Sequence, residues 1–103
     1  MEINPVVVDC FEWDEKKNRA NIKKHGIEFE LAANIFRQPH YVYDSPKGGE
    51  IRHVAVGSIE EIIIAVIYTV RHEKIRIISA RKARKKEKVG YRAIHDGDTS
   101  RAH

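Results

Sequence analysis

An α+β domain is predicted by three features of this sequence. Between Ile51 and Ala80, apolar residues alternate or run together in short segments bounded by polar turns, the pattern of strands. Between residues 15 and 37 they vanish or recur at helical spacing. The links between the later segments are too short for crossover helices, so the strands there form an antiparallel meander. The expected order is β-α-α-β-β-β-α: a small, antiparallel-rich sheet of three or four strands, two N-terminal helices on one side and a basic C-terminal helix.

Val6–Trp13 is β-branched and aromatic and reads as a strand after Pro5. Asp14 is a good N-cap, residues 15–25 are helical, and Gly26 terminates them. Only Ala20 and Ile22 are apolar in that helix, so it buries little surface and is either solvated or aimed at a partner. Phe29, Ala32, Ala33 and Phe36 recur at i, i+3, i+4, i+7, which predicts an amphipathic helix over 29–37 stopped by Pro39. His40–Asp44 tends to a strand and Ser45–Gly49 to a loop. Ile51–Ser58 is a strand with Ile51, His53 and Ala55 on one face and Arg52, Val54 and Val56 on the other. Ile62–Val70 is apolar enough to be covered on both faces. Ile75–Ala80 is the last strand, and a Lys/Arg-rich helix, weakened by Gly90, runs from Arg81 to about Arg92. Residues 1–93 then form one domain, and 94–103 read as a disordered tail.

The 103 residues carry 19 Lys+Arg against 15 Asp+Glu. No apolar run reaches the roughly 18–20 residues of a membrane span, and none has signal-peptide form. Cys10 is the single cysteine, which excludes an internal disulfide framework or a multi-Cys zinc site; it reads as a small buried strand residue. A soluble, cytoplasmic domain is the expectation. The charge is unevenly spread. Residues 71–92 hold ten Lys/Arg and two acids, residues 15–25 hold five and one, and the rest of the chain is acidic. Two basic segments in an acidic chain suit a polyanion, or else are solvated faces.

Several local patterns occur together: Phe11-Glu12-Trp13-Asp14, Lys24-His25-Gly26, Phe29-Glu30, Tyr68-Thr69 with Arg71, and Arg76-Ile77-Ile78-Ser79-Ala80-Arg81 with Ala83. In this combination the chain resembles the BrnT family of bacterial toxins from about Phe11 to Tyr91. The resemblance implies a RelE-like fold, a ribonuclease that inhibits growth, and a BrnA-like antitoxin as partner, with operator DNA met only through that antitoxin. Two departures stand out. Arg71-His72-Glu73-Lys74 replaces a glycine-containing turn, and Gly90 interrupts the last helix.

RNA cleavage without a metal uses the 2′-hydroxyl as an internal nucleophile. It needs a proton acceptor, a proton donor for the leaving oxygen, and cations on the phosphate. No convincing metal-ligand set is present, and no cofactor is expected. His25 is the candidate acid/base group, beside Lys24; its alternative is a cap on the helix carbonyls. Arg52 and Arg81 complete the expected catalytic set, Arg81 as a transition-state clamp or a surface residue. Lys17 and Asn21 share a helix stripe with His25; together with Arg71, Arg76, Ser79, Arg84 and Lys85 they are expected to bind RNA. Arg52 and Arg76 can equally be structural ion pairs with Glu12, Asp14 or Glu50. Tyr68 and Trp13 are expected in the core rather than on bases. A non-catalytic nucleic-acid-binding regulator using the same basic segments is the alternative function, and a purely structural interaction domain is a third. A toxin site of this composition predicts that Lys24, His25, Arg52 and Arg81 converge in one pocket, whereas a simple binder predicts charges spread along one open face.

Overall fold

Two tight turns set the register of the sheet. Glu60-Glu61 takes φ of 51° and 70° and joins the paired residues Ile59 and Ile62. His72-Glu73 takes φ of 52° and 66° and joins Arg71 to Lys74. Left-handed φ at both central residues is the two-residue hairpin geometry that matches strand twist. It is achieved here without glycine, at a cost of roughly 1–2 kcal/mol per residue. Replacing Glu60-Glu61 with Asn-Gly is therefore expected to stabilise the protein by about 1 kcal/mol, measured as a higher urea midpoint.

The computed structural model describes residues 11–47 and 49–101. Its elements are β1 (Phe11–Trp13), α1 (Glu15–His25), α2 (Phe29–Ala32) continued by a 3-10 segment (Ala33–Arg37), β2 (His40–Lys47), β3 (Glu50–Ile59), β4 (Ile62–Arg71), β5 (Lys74–Lys82) and α3 (Lys85–Arg101). The sheet has five strands rather than three or four, in the order β1-β5-β4-β3-β2. β2 to β5 form the expected antiparallel meander, and β1 joins β5 in parallel, Glu12 opposite Arg76. The expected start of the first strand at Val6, and Cys10, lie outside the described residues.

Three boundaries differ from expectation. β2 runs on to Lys47, because Pro46 sits on an edge strand where a missing N–H costs no ladder bond. Arg81 and Lys82 stay in β5, paired with Ala65 and Ile64, so the last helix begins at Lys85 instead of Arg81. That helix also takes in residues 94–101, which the sequence suggests as a tail.

One face of the sheet carries the main core. Phe29, Ala32 and Ile35 pack there on Ala55, Ile64, Val66, Tyr68, Ile77 and Ala80. Trp13 and Phe36, both partly buried, lie against the same cluster, and Tyr68 is buried in it, the core position expected of Tyr68. Gly57 lets the 3-10 segment approach β3: a Cβ there would sit 3.0 Å from the Ile35 Cβ. Gly57→Ala is expected to cost about 1–3 kcal/mol by overpacking, measured by denaturant unfolding. On the opposite face α3 covers a smaller cluster of Val54, Val56, Ala65 and Ala83. Gly90 has a packing role there, since a Cβ would meet the Tyr41 hydroxyl at 2.8 Å.

α1 docks by polar contacts. Its two apolar residues, Ala20 and Ile22, are exposed, while Asn18 and Asn21 are buried. β1 ends opposite Ile77, so Ala80 in β5 has no strand partner on that side. Asn21 replaces one: its Oδ1 accepts from the Ala80 N–H at 3.1 Å, and its Nδ2 donates to the Ala80 and Ile27 carbonyls at 2.8 Å each. The Asn18 Oδ1 accepts from the Phe29 N–H at 2.9 Å, tying α1 to α2.

Candidate nucleic-acid interface

Among the described residues, α3 packs over the half of its sheet face near the Glu60–Glu61 turn. The other half, toward the His72–Glu73 turn, is built from alternate residues of four strands. Strand alternation puts Glu12, Arg76, Thr69 and Arg52 in a row across β1, β5, β4 and β3, because their neighbours Trp13, Ile77, Tyr68 and His53 lie on the opposite, core side. Arg71 and Lys74 continue this surface toward the turn. The cations are half-exposed or exposed.

Two carboxylates sit among them. Arg76 Nη1 is 3.4 Å from Glu12 Oε2, and Arg71 Nη2 is 3.4 Å from Glu50 Oε2. These are long, partly solvated pairs of small net worth. The alternative of structural ion pairs is thus met for Arg76, with Glu12, though loosely. Arg52 has no carboxylate partner among the described residues. Its Nε is buried without a hydrogen-bond partner, and so is the Oγ1 of Thr69, a residue only 3 % exposed. A buried donor and a buried hydroxyl left unmatched cost about 1–3 kcal/mol each. On a cationic surface, an anionic oxygen is the partner that would match both.

Eleven residues were expected to form the site, and they fall into three groups. Arg52, Arg71 and Arg76 share the half-face just described. Lys17, Asn21, Lys24, His25 and Ser79 line one depression of about 200 Å³ along the free edge of β5. Arg81, Arg84 and Lys85 lie where β5 leads into α3. The expected convergence of Lys24 and His25 with Arg52 and Arg81 does not occur. His25 also borders a cavity with Lys82, at the far end of β5. Six residues separate Lys82 from Arg76, about 20 Å of strand.

Two of the eleven are taken up by the fold. The Asn21 amide is spent on backbone, and its Oδ1 also receives the Ser79 hydroxyl at 3.3 Å, so Asn21 does not offer itself to RNA. Arg81 forks onto Glu87 at 2.8 and 2.9 Å. Glu87 is 4 % exposed and also accepts from the Arg84 N–H at 2.7 Å and from the Tyr43 hydroxyl. It caps α3 from its N3 position, the reciprocal half of a capping box. Burial alone would raise its pKa. The Arg81 fork, the Arg84 amide and the Tyr43 hydroxyl outweigh that and hold it at about 2.

Thr69 escaped the list of expected site residues. Its signal was present: apart from Tyr68, it is the one polar residue in Ile62–Val70. Asn21→Ala is expected to cost about 2–4 kcal/mol, since it orphans both backbone groups of Ala80. Thermal and urea unfolding would check this.

A small α+β domain with cations gathered on one half of a sheet face, over buried polar atoms that lack partners, defines a polyanion-binding class. Residues 13–87 match the family of the ribonuclease toxin BrnT of type II toxin–antitoxin systems, and the chain belongs to that family. An antitoxin partner and an RNA substrate follow from membership. No match is found among curated proteins. No helix of the described residues is long and apolar enough to cross a membrane.

Proposed function

We propose that this protein is a metal-independent endoribonuclease toxin with a RelE-like fold, acting on RNA at the open half-face of the sheet. The observation that carries this reading is the buried, unmatched Arg52 Nε and Thr69 Oγ1 among exposed cations. Arg52 and Arg76 hold the scissile phosphate, and the Thr69 hydroxyl donates to one of its oxygens. Glu12, beside Arg76, accepts the proton of the 2′-hydroxyl as that oxygen attacks phosphorus. The guanidinium groups offset the charge that collects on the phosphoryl oxygens and on the departing 5′-oxygen, which takes its proton from solvent water as it leaves. Lys17, Lys24 and His25 bind flanking phosphates along the β5 edge, a change from the catalytic role expected of His25 and Lys24. A BrnA-like antitoxin neutralises the toxin in the cytoplasm, and operator DNA is met only through it.

The test is incubation of partner-free protein with RNA in the presence of EDTA. Cleavage is expected, and Glu12→Gln is expected to slow it by about 10²-fold. Binding of RNA without cleavage would refute catalysis and favour a nucleic-acid-binding regulator.

A further inference from the structure

We infer that the cavity between β1 and the α2 segment is a nucleobase subsite selective for guanine, serving the RNA strand whose phosphate rests on Arg76. This inference rests on the function proposed above. The cavity measures about 410 Å³, within the range of roughly 300–1,000 Å³ typical of small-ligand sites. Phe11 and Trp13 form its aromatic wall. Both rings are braced from behind, Phe11 by Phe36 with centroids 5.4 Å apart and Trp13 edge-on by Phe29 at 6.1 Å. Such rings offer a stacking surface that a base of any kind can use.

The facing wall is polar. Glu30, Asn34 and Arg37 line it, and among the described residues none of the three has a side-chain hydrogen-bond partner. A carboxylate only accepts, and it accepts through two oxygens. Guanine is the base whose pairing edge offers two adjacent donors, N1–H and the N2 amino group. Adenine, cytosine and uracil each offer one donor group there. Arg37 adds a cation to the lining.

Strand alternation links this cavity to the phosphate surface. Phe11 and Trp13 face the cavity side of β1, and Glu12 between them faces Arg76. One strand therefore separates base cavity from phosphate row. Among the described residues that strand is at the edge of the sheet, and a single-stranded RNA passing around it would meet both surfaces.

Trp13 is the single tryptophan and reports directly on the cavity. Its fluorescence would be followed while the protein is titrated with guanosine 5′-monophosphate, adenosine 5′-monophosphate, cytidine 5′-monophosphate and ribose 5-phosphate. Saturable quenching is expected from the guanine nucleotide, about tenfold tighter than from the others. Glu30→Gln is expected to erase that preference, and Ala33→Leu, which fills the cavity, to abolish binding while circular dichroism stays native. Arg76→Ala is expected to weaken the nucleotide but leave guanosine binding unchanged. Equal binding of ribose 5-phosphate, a preference that survives Glu30→Gln, or no quenching at all would overturn the inference. Normal RNA cleavage without base-dependent quenching would sink this subsite alone. Guanosine binding without cleavage would instead sink the proposed function and leave the cavity assignment standing.

Discussion

Glu87→Ala is expected to destabilise the protein by about 3–5 kcal/mol, because it leaves the Arg81 guanidinium without its partner. Glu87 accepts four hydrogen bonds from β5, β2 and the start of α3, so one carboxylate fastens the last helix to the sheet. The Tyr41 hydroxyl, donating to the Glu87 carbonyl at 3.0 Å, adds a second point of attachment. A urea titration of the variant gives the loss. The double variant Arg81→Met, Glu87→Leu is expected to recover most of it, since replacing a buried ion pair by apolar side chains of similar volume is often neutral. The same carboxylate sets the acid limit. Its folded pKa of about 2 lies below its ordinary value of 4.5. Its stabilisation is therefore complete above about pH 4.5 and is lost as pH falls toward 2, by about 3 kcal/mol in total. Glu87→Gln should flatten that part of the stability–pH curve. These contacts also explain why Arg81 differs from Arg52. Both looked like phosphate clamps in the sequence, but the fork of Arg81 is already occupied by a carboxylate.

Arg52→Ala is expected to slow RNA cleavage by about 10²–10³-fold, the usual cost of removing one donor to a developing oxyanion. Arg52→Lys should recover only part of that rate, because an ammonium cannot present two N–H groups in a planar fork. Thr69→Val keeps the shape and removes the hydroxyl. It is expected to leave stability unchanged or slightly raised, since the Oγ1 has no partner among the described residues, while lowering cleavage. A stability gain with a loss of activity distinguishes a substrate-facing hydroxyl from a structural one. Single-turnover rates beside urea midpoints would show it.

Strand faces were legible in the sequence because side chains alternate with period 2. The division of Ile51–Ser58 put Arg52 opposite His53, and that is how they lie. The helix over 15–25 followed from Asp14 and Gly26, and its caps are as read: the Asp14 carboxylate accepts from Lys16 N–H and Gly26 takes φ 74°. What periodicity does not carry is which elements meet. The parallel pairing of β1 with β5 joins residues more than sixty positions apart, and it alone decides that Glu12 meets Arg76. The polarity of α1 suggested a solvated surface or one free for a partner, whereas two asparagines dock it, Asn21 by replacing a missing strand beside Ala80 and Asn18 by holding the Phe29 N–H of α2. Glu87 is one of two acids in the basic segment 71–92, and its partners come from β2 and β5 together. The site was half visible for the same reason. Its arginines announce themselves, but their separation from His25 is set by the length of β5.

The decisive comparison is the RNA cleavage rate of Arg76→Ala against that of His25→Ala, in proteins confirmed to be folded and with EDTA present. Arg76→Ala is expected to lose at least about 10²-fold in rate at saturating RNA. His25→Ala is expected to weaken RNA binding and to keep its rate within about tenfold of the unsubstituted protein. A collapse of the rate in His25→Ala with Arg76→Ala nearly intact would place the chemistry at the β5 edge and contradict the assignment to the open half-face.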